Sequence, residues 1–380
     1  MKKFIIDFFN NFKNKGLKHK IFVISLTVLY IFIICVCAIQ VECEFTSPGT
    51  CTRVSNVIEI DNEENKVDNT RIYTVSVYTK TKMSLAQFFI AKYLDSNIDV
   101  MRYDHDDDMF TINESYKMDA CAKNQSIQDS IIVAYEYAKK ENYDVNLVYS
   151  YSGVVTSIIP ANYYKTGPES LMIGDLVKSI GGVEITSMDV FREIIEEIYL
   201  DYKNNIEISV PEIKVIRQNK EVTLSACNVK ILAYLGKISY KARENNQKVN
   251  NYYFYDYYTI DYIRSKPSIE IQNINTVGPS GGLMQAIYVY NAITGGNLVK
   301  DKYIVGTGTI SSDGSVGAIG GIKQKVVTAS IYLTDYFFVD AYDYDDALKQ
   351  YESLKNPSFK LVKVEEFKDA INALKEDLGE

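Results

Sequence analysis

The feature that most restricts the fold is an uncharged apolar run from Ile21 to Ile39, IFVISLTVLYIFIICVCAI. An α-helix needs about 20 apolar residues to cross a bilayer, and this run has that length. Six lysines precede the run, whereas Glu42 and Glu44 follow it. Because lysine and arginine accumulate on the cytoplasmic side, the pattern predicts a cytoplasmic segment (1–20), a transmembrane helix (21–41) and an extracytoplasmic remainder at the cell membrane.

A cleaved secretory signal is the alternative interpretation, because it also joins a basic start to an apolar stretch. The run is longer than the apolar part of a usual signal, and its exit, Ala38-Ile-Gln-Val-Glu-Cys43, has no small-x-small cleavage pattern. An uncleaved single-pass anchor is therefore favoured. Cys43 and Cys51 follow the run, and whether they pair in an oxidising compartment is open at this stage.

Composition limits the partners of the chain. The 380 residues carry a net charge of -8, and no dense lysine or arginine block occurs beyond the N-terminus. Nucleic-acid binding depends on neutralising phosphates, so a polynucleotide partner is not expected. The sequence contains no Cys-x-x-Cys pattern, so a metal site of that kind is not expected. The acidic run 104–108, which contains His105, is interpreted as a solvated loop rather than a cation site.

Residues 42–145 form an extracytoplasmic region whose role the sequence does not indicate. Alternating apolar residues predict a strand at 71–78, and helical periodicity predicts helices at 85–94 and about 127–140. From residue 146 short strands with turn signals follow, including a predicted strand at 206–210.

Residues 146–230 contain Gly174-Asp-Leu-Val-Lys-Ser-Ile-Gly-Gly-Val-Glu-Ile185, a helical stretch from about residue 188 and a closing hairpin at 213–224. This order resembles a PDZ domain of the bacterial protease type, which implies a β-rich, partly open barrel with helices. PDZ domains bind an extended peptide as an added strand. The resemblance implies that the loop with Ser152, Gly153 and Val154 binds a peptide carboxylate, or that the domain only positions its neighbour.

The second motif is NTVGPSGGLMQ (275–285), in which Ser280 stands where a helix-periodic apolar run begins. Serine is a good helix N-cap, so a structural role is one interpretation. A Walker A phosphate loop is excluded because no Gly-Lys-Ser/Thr occurs in the chain. A histidine-dependent triad is disfavoured because the only histidines are His19 and His105. If Ser280 is a nucleophile, lysine is the remaining common activator.

The stretches GPSGGLMQA and GTGTISSDGSVGAIGGIKQKVVTAS, with the tail Asp335-Tyr-Phe-Phe-Val339, resemble the α+β proteolytic domain of the Lon peptidases over about residues 265–378. With the anchor and the PDZ-like segment, the chain resembles the ATPase-free, membrane-anchored PDZ/Lon-like proteases. The resemblance assigns residues 231–380 to the proteolytic domain. It implies Ser280 as nucleophile, Lys325 rather than Lys323 as general base, and Thr307 as a residue that orients the amine.

Two physical arguments accompany this resemblance. Lys323 and Lys325 are about 200° apart on a helix, so at most one can face the serine. Gly281 and Gly282 are expected to let a substrate backbone approach. The expected protein is a serine endopeptidase that acts on protein or peptide substrates without ATP, nucleotide, cofactor or metal, with a homo-oligomer as one option. The alternative is a catalytically idle, membrane-anchored binding or scaffold protein.

Overall fold

The computed structural model describes residues 12–61, 71–102, 112–157, 169–209, 211–224, 229–245, 253–272 and 278–377. The acidic run at 104–108 lies outside these residues. The described chain is mixed α+β and falls into two compact units, residues 1–48 with 77–104, and residues 49–76 with 105–380.

Nine helices and sixteen strands lie within the described residues. The helices are α1 Leu17–Ala38, α2 Leu85–Tyr93, α3 Ile112–Lys140, α4 Met188–Lys203, α5 Val229–Glu244, α6 Gly282–Ile293, α7 Ile322–Ile331, α8 Tyr344–Ser353 and α9 Phe367–Glu376. The strands are β1 Gln40–Arg53, β2 Ile58–Asp61, β3 Ile72–Ser84, β4 Asp99–Arg102, β5 Tyr149–Thr156, β6 Leu176–Ile180, β7 Val183–Glu184, β8 Ile213–Arg217, β9 Lys220–Leu224, β10 Phe254–Ile260, β11 Ser268–Ile271, β12 Ile304–Gly306, β13 Thr309–Ile310, β14 Val316–Gly317, β15 Tyr336–Asp340 and β16 Lys360–Val364.

The first unit is built around α1, which forms over the predicted apolar run. No residue of α1 is buried, and by length and composition the helix could span a membrane or be a signal sequence. After it, β1 pairs antiparallel with β4, with Cys43 opposite Arg102. The predicted helix at 85–94 is confirmed as α2, whose start is fixed by a capping box between Ser84 and Gln87.

The second unit contains a sheet, here sheet A, with β12 at its centre. β12 runs parallel to both β15 and β3, and β16 and β1 continue the sheet on either side. Alternate strand residues face opposite sides, as the pleat requires. Ile304 and Phe338 join the core of α3, α6 and α9, whereas Val305 and Phe337 join that of α7 and α8. All twelve residues of α6 are buried, so this helix lies at the centre of the unit.

A second sheet, here sheet B, has the order β10-β5-β6-β8-β9, with β7 paired to β6. Helices α4 and α5 cover it and share its hydrophobic core with Phe254 of β10. Gly236 lets the two helices touch, because a Cβ there would lie 1.9 Å from the carbonyl oxygen of Ile195. The predicted hairpin at 213–224 is confirmed, with Gln218 and Asn219 at the turn.

Sheet B includes residues beyond the segment 146–230 in which the sequence placed the PDZ-like domain. Helix α5 and strand β10, placed by the sequence in the segment 231–380, belong to sheet B, because β10 pairs with β5 along its length. Conversely, apolar residues within 54–58 and 127–145, which had no expected role, pack into the same core as α6. Sheet B is therefore an insertion in the part that carries sheet A. Its two ends meet where the N–H groups of Asn146 and Lys266 bond each other's carbonyls at 2.8 and 2.7 Å.

Two smaller expectations also change. Residues 206–209 form no strand, although the sequence predicted one at 206–210, and the proline that follows at 211 has no N–H for a neighbouring strand. Cys43 and Cys51 both carry free thiols, so the two do not pair in this structure.

Candidate active site

Ser280 lies in a tight turn directly before α6. The helix begins at Gly282 with Gly281 as its N-cap and without a side-chain cap bond, so Ser280 is not the helix cap that its position allowed. Ser280 is half-buried. Among the described residues, its hydroxyl, its N–H and the N–H of Gly281 have no hydrogen-bond partner. The turn thus presents one hydroxyl and two backbone donors without internal partners.

The carbonyl group of Ser280, in contrast, is held by the end of β12. The Gly308 N–H donates to it at 2.9 Å, and the Thr307 hydroxyl donates to it at 3.1 Å. Thr307 is fully buried, and its Oγ1 in turn accepts from Lys325 Nζ at 2.9 Å. A chain of hydrogen bonds therefore connects the amine of Lys325 to the backbone of Ser280 through one threonine hydroxyl.

The environment of Lys325 favours the neutral amine. Lys325 is 3% exposed and lies in the first turns of α7. Its neighbours on this helix, Ile322 and Val326, pack in an apolar cluster. Burial lowers the pKa of Lys325 to about 8, against the opposing charges of Asp343 and then Asp340. A lysine with such a pKa can exchange a proton near neutral pH.

The two lysines of α7 are separated as their spacing predicts. Lys325 faces the core, whereas Lys323 is exposed. Because residues two apart on a helix lie about 200° apart, one helix cannot bring both amines to Thr307. The structure brings together Ser280, Thr307 and Lys325, and it leaves Lys323 outside the site.

The two acidic residues that face Lys325 lie where β15 ends. Asp340 is fully buried, and its Oδ1 accepts from the N–H groups of Tyr342 and Asp343, each at 3.0 Å. Its Oδ2 is buried with no partner among the described residues, and burial raises the pKa of Asp340 above its ordinary value. Asp343 Oδ2 accepts from the Ile319 N–H at 2.8 Å, just before α7. Backbone N–H groups thus hold both carboxyl groups in place, and their charges act on the Lys325 amine.

Gly281 and Gly282 are closely packed by side chains of the protein itself. A Cβ at Gly281 would lie 2.8 Å from Cγ2 of Thr74, and a Cβ at Gly282 would lie 2.4 Å from Oγ of Ser126. The protein's own side chains from β3 and α3 thus occupy the space that these glycines leave. The glycines thus allow close internal packing of the turn, and the approach of a substrate backbone stays a prediction.

The predicted peptide-binding loop at Ser152, Gly153 and Val154 is not a loop. All three residues lie within β5, where Gly153 pairs with Tyr257 of β10 and Val154 pairs with Val177 of β6. The Lys178 ammonium group also donates to the Ser152 carbonyl. The expectation of a loop is wrong, because β10 pairs along one edge of β5 and β6 pairs with Val154 and Val155 on the other edge.

A large cleft of about 1390 Å³ borders the turn at Pro279. It lies between the β13–β14 hairpin on one side and α3, α4, α5 and β10 on the others; Ser280 and Lys325 do not line it. Acidic side chains dominate its charged lining: Asp129, Asp189, Glu193, Glu196, Asp256 and Asp313, against Arg192 and Arg243.

One acidic residue of this cleft is strongly perturbed. Asp129 is 5% exposed and accepts a hydrogen bond from the Gln125 amide at 2.9 Å. Burial raises the pKa of Asp129 to about 8, and the charges of Asp256 and Asp313 add to this shift, whereas the bond from Gln125 opposes it. Asp129 is therefore mostly protonated at neutral pH.

Several residues of the site were not found in the sequence. Thr74 and Ser126 come from the region without an expected role, and Ser126 Oγ donates to the Pro279 carbonyl at 2.8 Å. Asp340 and Asp343 follow the tail motif that ends at Val339, but no spacing rule connected them with Lys325. Only the parallel pairing of β12 with β15 brings them near the amine.

No protein-family model matches the sequence, and no curated protein is significantly similar to it. What the chain does is therefore inferred from its motifs and from the geometry of the site.

Proposed function

We propose that the protein is an ATP-independent serine endopeptidase in which Ser280 is the nucleophile and Lys325 is the general base. The observation that carries this proposal is the buried Lys325 amine, hydrogen-bonded to Thr307, which itself bonds the Ser280 carbonyl. A serine hydroxyl becomes an effective nucleophile only when a neighbouring base takes its proton. A lysine can serve as that base when it is buried and loses its charge.

In the first half of the reaction, neutral Lys325 takes the proton from Ser280 Oγ while Oγ attacks the scissile carbonyl carbon. The N–H groups of Ser280 and Gly281 have no partner among the described residues and are the available donors for the resulting oxyanion. The Lys325 ammonium then returns the proton to the amide nitrogen. The C–N bond breaks, the amine leaves, and the acyl group remains as an ester on Ser280.

In the second half, a water molecule attacks the ester while Lys325 takes a proton from it. The ester C–O bond breaks, Lys325 returns the proton to Ser280 Oγ, and the carboxylic acid product leaves. Thr307 keeps the amine in place in both halves, because its hydroxyl has Lys325 on one side and the Ser280 carbonyl on the other.

The low pKa of Lys325 has a cost in stability. A decrease from 10.5 to about 8 corresponds to about 3 kcal/mol. Because the folded state disfavours the ammonium, this free energy is lost from folding below pH 8 and is regained as the pH rises towards 10.5. A site that maintains such a cost is typical of catalytic lysines rather than of structural ones.

The motifs support the same proposal. The stretches around Ser280 and Lys325 resemble the Lon proteolytic domain, and we infer that the part with sheet A is of this type. We also infer that sheet B with α4 and α5 is a PDZ-like module. Since Gly153 and Val154 already pair within sheet B, we infer that the module forms a wall of the cleft beside Pro279 rather than adding a peptide strand at these residues.

We infer that α1 is an uncleaved anchor, which makes the protein a single-pass membrane protein with its N-terminus in the cytoplasm and the site outside. The helix is apolar from Ile21 to its end, and six lysines precede this apolar part. Its substrates are then extracytoplasmic or membrane-proximal proteins.

The test is the degradation of casein by the full-length chain in detergent or nanodiscs, without nucleotide. Ser280→Ala and Lys325→Gln should each reduce the rate by about 10³-fold or more, because the nucleophile and its base act as a unit. Lys323→Gln is the matched control and should retain the wild-type rate, since Lys323 is exposed on the same helix.

Each result has a distinct meaning. If Lys323→Gln inactivates and Lys325→Gln does not, the assignment of the base is wrong. If the wild type is inert towards unfolded proteins and peptides, also as an oligomer, the alternative of an idle binding or scaffold protein replaces the peptidase.

A further inference from the structure

Helix α2 carries a solvent-exposed apolar face, formed by Phe89, Ile90, Tyr93 and Leu94. These residues are 51%, 54%, 66% and 80% exposed. Their spacing of i, i+1, i+4 and i+5 places them on one side of the helix. Ala91, on another side, is 3% exposed. The helix is thus packed on one side, and its apolar side is exposed. A surface helix in water instead exposes its polar side.

The position of α2 relates this face to α1. The Leu85 N–H, at the first residue of α2, donates to the carbonyl of Ile39 at 2.8 Å. Ile39 is the C-cap of α1. The two helices belong to the same compact unit and are in contact. The apolar face of α2 therefore lies at the end of the one described helix that is long and apolar enough to cross a membrane.

The side chains around the face are those of a helix in the membrane interface. Phe88, Phe89 and Tyr93 are aromatic, and such residues concentrate at the level of the lipid headgroups. Lys92 lies beside them, with its Nζ 5.3 Å from the ring centre of Phe88 and 5.9 Å from that of Tyr93. A lysine at the edge of an apolar face can extend to lipid phosphates while its stem stays on the aromatic rings.

We propose that α2 lies in the plane of the membrane interface, with the apolar face of Phe89, Ile90, Tyr93 and Leu94 inserted among the lipids of the bilayer that α1 spans. The occupant of the face is lipid rather than protein because α2, which carries it, begins at the end of the spanning helix. This proposal rests on the inferred membrane anchor and is independent of the peptidase activity. The protein then has two contacts with the bilayer, one across it and one along its surface.

The chain contains no tryptophan, so a single introduced tryptophan reports on its own position and tests the proposal. The full-length chain with Phe89→Trp is reconstituted in phosphatidylcholine and phosphatidylglycerol vesicles, with or without bromine on the acyl chains. We expect a blue-shifted emission and about a twofold loss of intensity in the brominated vesicles. Lys92→Trp, on the flank of the same helix, should be quenched less. Phe32→Trp, within α1, reports the membrane span itself.

The outcomes separate the two membrane inferences. Quenching of Phe32→Trp without quenching of Phe89→Trp overturns the interfacial position of α2 and leaves the anchor in place. An emission of Phe89→Trp that is blue-shifted but unquenched shows that protein covers the face, which also overturns the proposal. If neither position is quenched, both the anchor and the interfacial helix are wrong. Equal quenching at positions 89 and 92 contradicts the proposed orientation.

Discussion

The turn before α6 and the middle of β5 contain similar short motifs, Pro-Ser-Gly-Gly and Ser-Gly-Val, and the structure uses them in opposite ways. In the turn, the Ser280 carbonyl is held, and its hydroxyl and N–H have no partner among the described residues. In β5, the residues around Gly153 lie between β10 and β6, which pair with it on either side.

The difference shows that a motif is available for chemistry only if its neighbours leave its polar groups unused. Both motifs contain a small polar residue and a glycine, and both were assigned a functional role from the sequence. What separates them is β10, which comes from a distant part of the chain and covers the edge of β5. The following predictions test this contrast, from the largest expected effect to the smallest.

Among the variants that test this contrast, replacing Thr307 with valine should have the largest effect. The variant removes the acceptor of Lys325 Nζ and one donor to the Ser280 carbonyl, while the size of the side chain is kept. We expect kcat/KM for casein peptides to decrease by about 10²- to 10³-fold, or about 3 to 4 kcal/mol. Thr307→Ser is the matched control and should restore most of the rate. A valine variant with wild-type kinetics would contradict the role of Thr307.

Gly153→Ala should destabilise the fold without a specific effect on the site. A Cβ at this position would lie 2.3 Å from the Val177 carbonyl oxygen, and its φ of 132° is unfavourable for alanine. We expect a loss of about 2 to 3 kcal/mol in the free energy of unfolding, measured with denaturant. Gly320→Ala, where nothing lies within 4 Å, is the control and should change stability little. Equal stability of the two variants would show that β5 is not closed by β6.

Asp340→Asn should move the pH dependence of the reaction. The neutral form of Lys325 is the active one, so kcat/KM of the wild type should rise with pH through about 8. The negative charge of Asp340 favours the ammonium form of Lys325. Removing this charge lowers the pKa of Lys325, so the rise of kcat/KM occurs at lower pH. At pH 7 the variant should be a few-fold faster than the wild type.

The asparagine keeps an oxygen for the N–H groups of Tyr342 and Asp343, so the turn at the end of β15 is preserved. Asp346→Asn, an exposed carboxyl group in the first turn of α8, is the control and should leave the profile unchanged. A profile of Asp340→Asn that coincides with the wild type would exclude electrostatic control of the base by this residue.

Ser152→Ala should have the smallest effect. Within the described part of the chain, its hydroxyl pairs with the exposed Thr259 hydroxyl at 2.6 Å and with the Ser150 carbonyl at 3.5 Å. We expect the free energy of unfolding to change by less than about 0.5 kcal/mol and the KM for peptides to stay unchanged. A clear rise in KM would revive the peptide-binding role that the pairing of β5 argues against.

Local patterns in the sequence were enough to predict several elements. The helix α2 and the hairpin of β8 and β9 follow from periodicity over a few residues, as does the separation of Lys323 from Lys325; the choice of Lys325 came from the resemblance to the Lon proteolytic domain. These features depend on neighbours along the chain, which a sequence displays directly.

Features that depend on distant segments were not predictable in this way. The pairing of β10 with β5 closed the expected peptide site, and the packing of α3 against α6 brought Ser126 to the turn. The buried carboxyl of Asp340 approaches Lys325 only because β15 and β12 are parallel neighbours. No periodicity within one segment records which other segment will lie beside it.

The junction at Asn146 and Lys266 has a consequence for how such a chain can change over time. The segment between these residues leaves the rest of the protein and returns to it at a single point, where the Asp261 N–H also bonds the Val148 carbonyl at 2.8 Å. A replacement of this segment by recombination would alter one wall of the cleft while β12, which Thr307 follows, and the helix of Lys325 were inherited intact. The order of segments along the gene conceals this arrangement, in which the cleft wall and the proposed catalytic residues can evolve as separate modules.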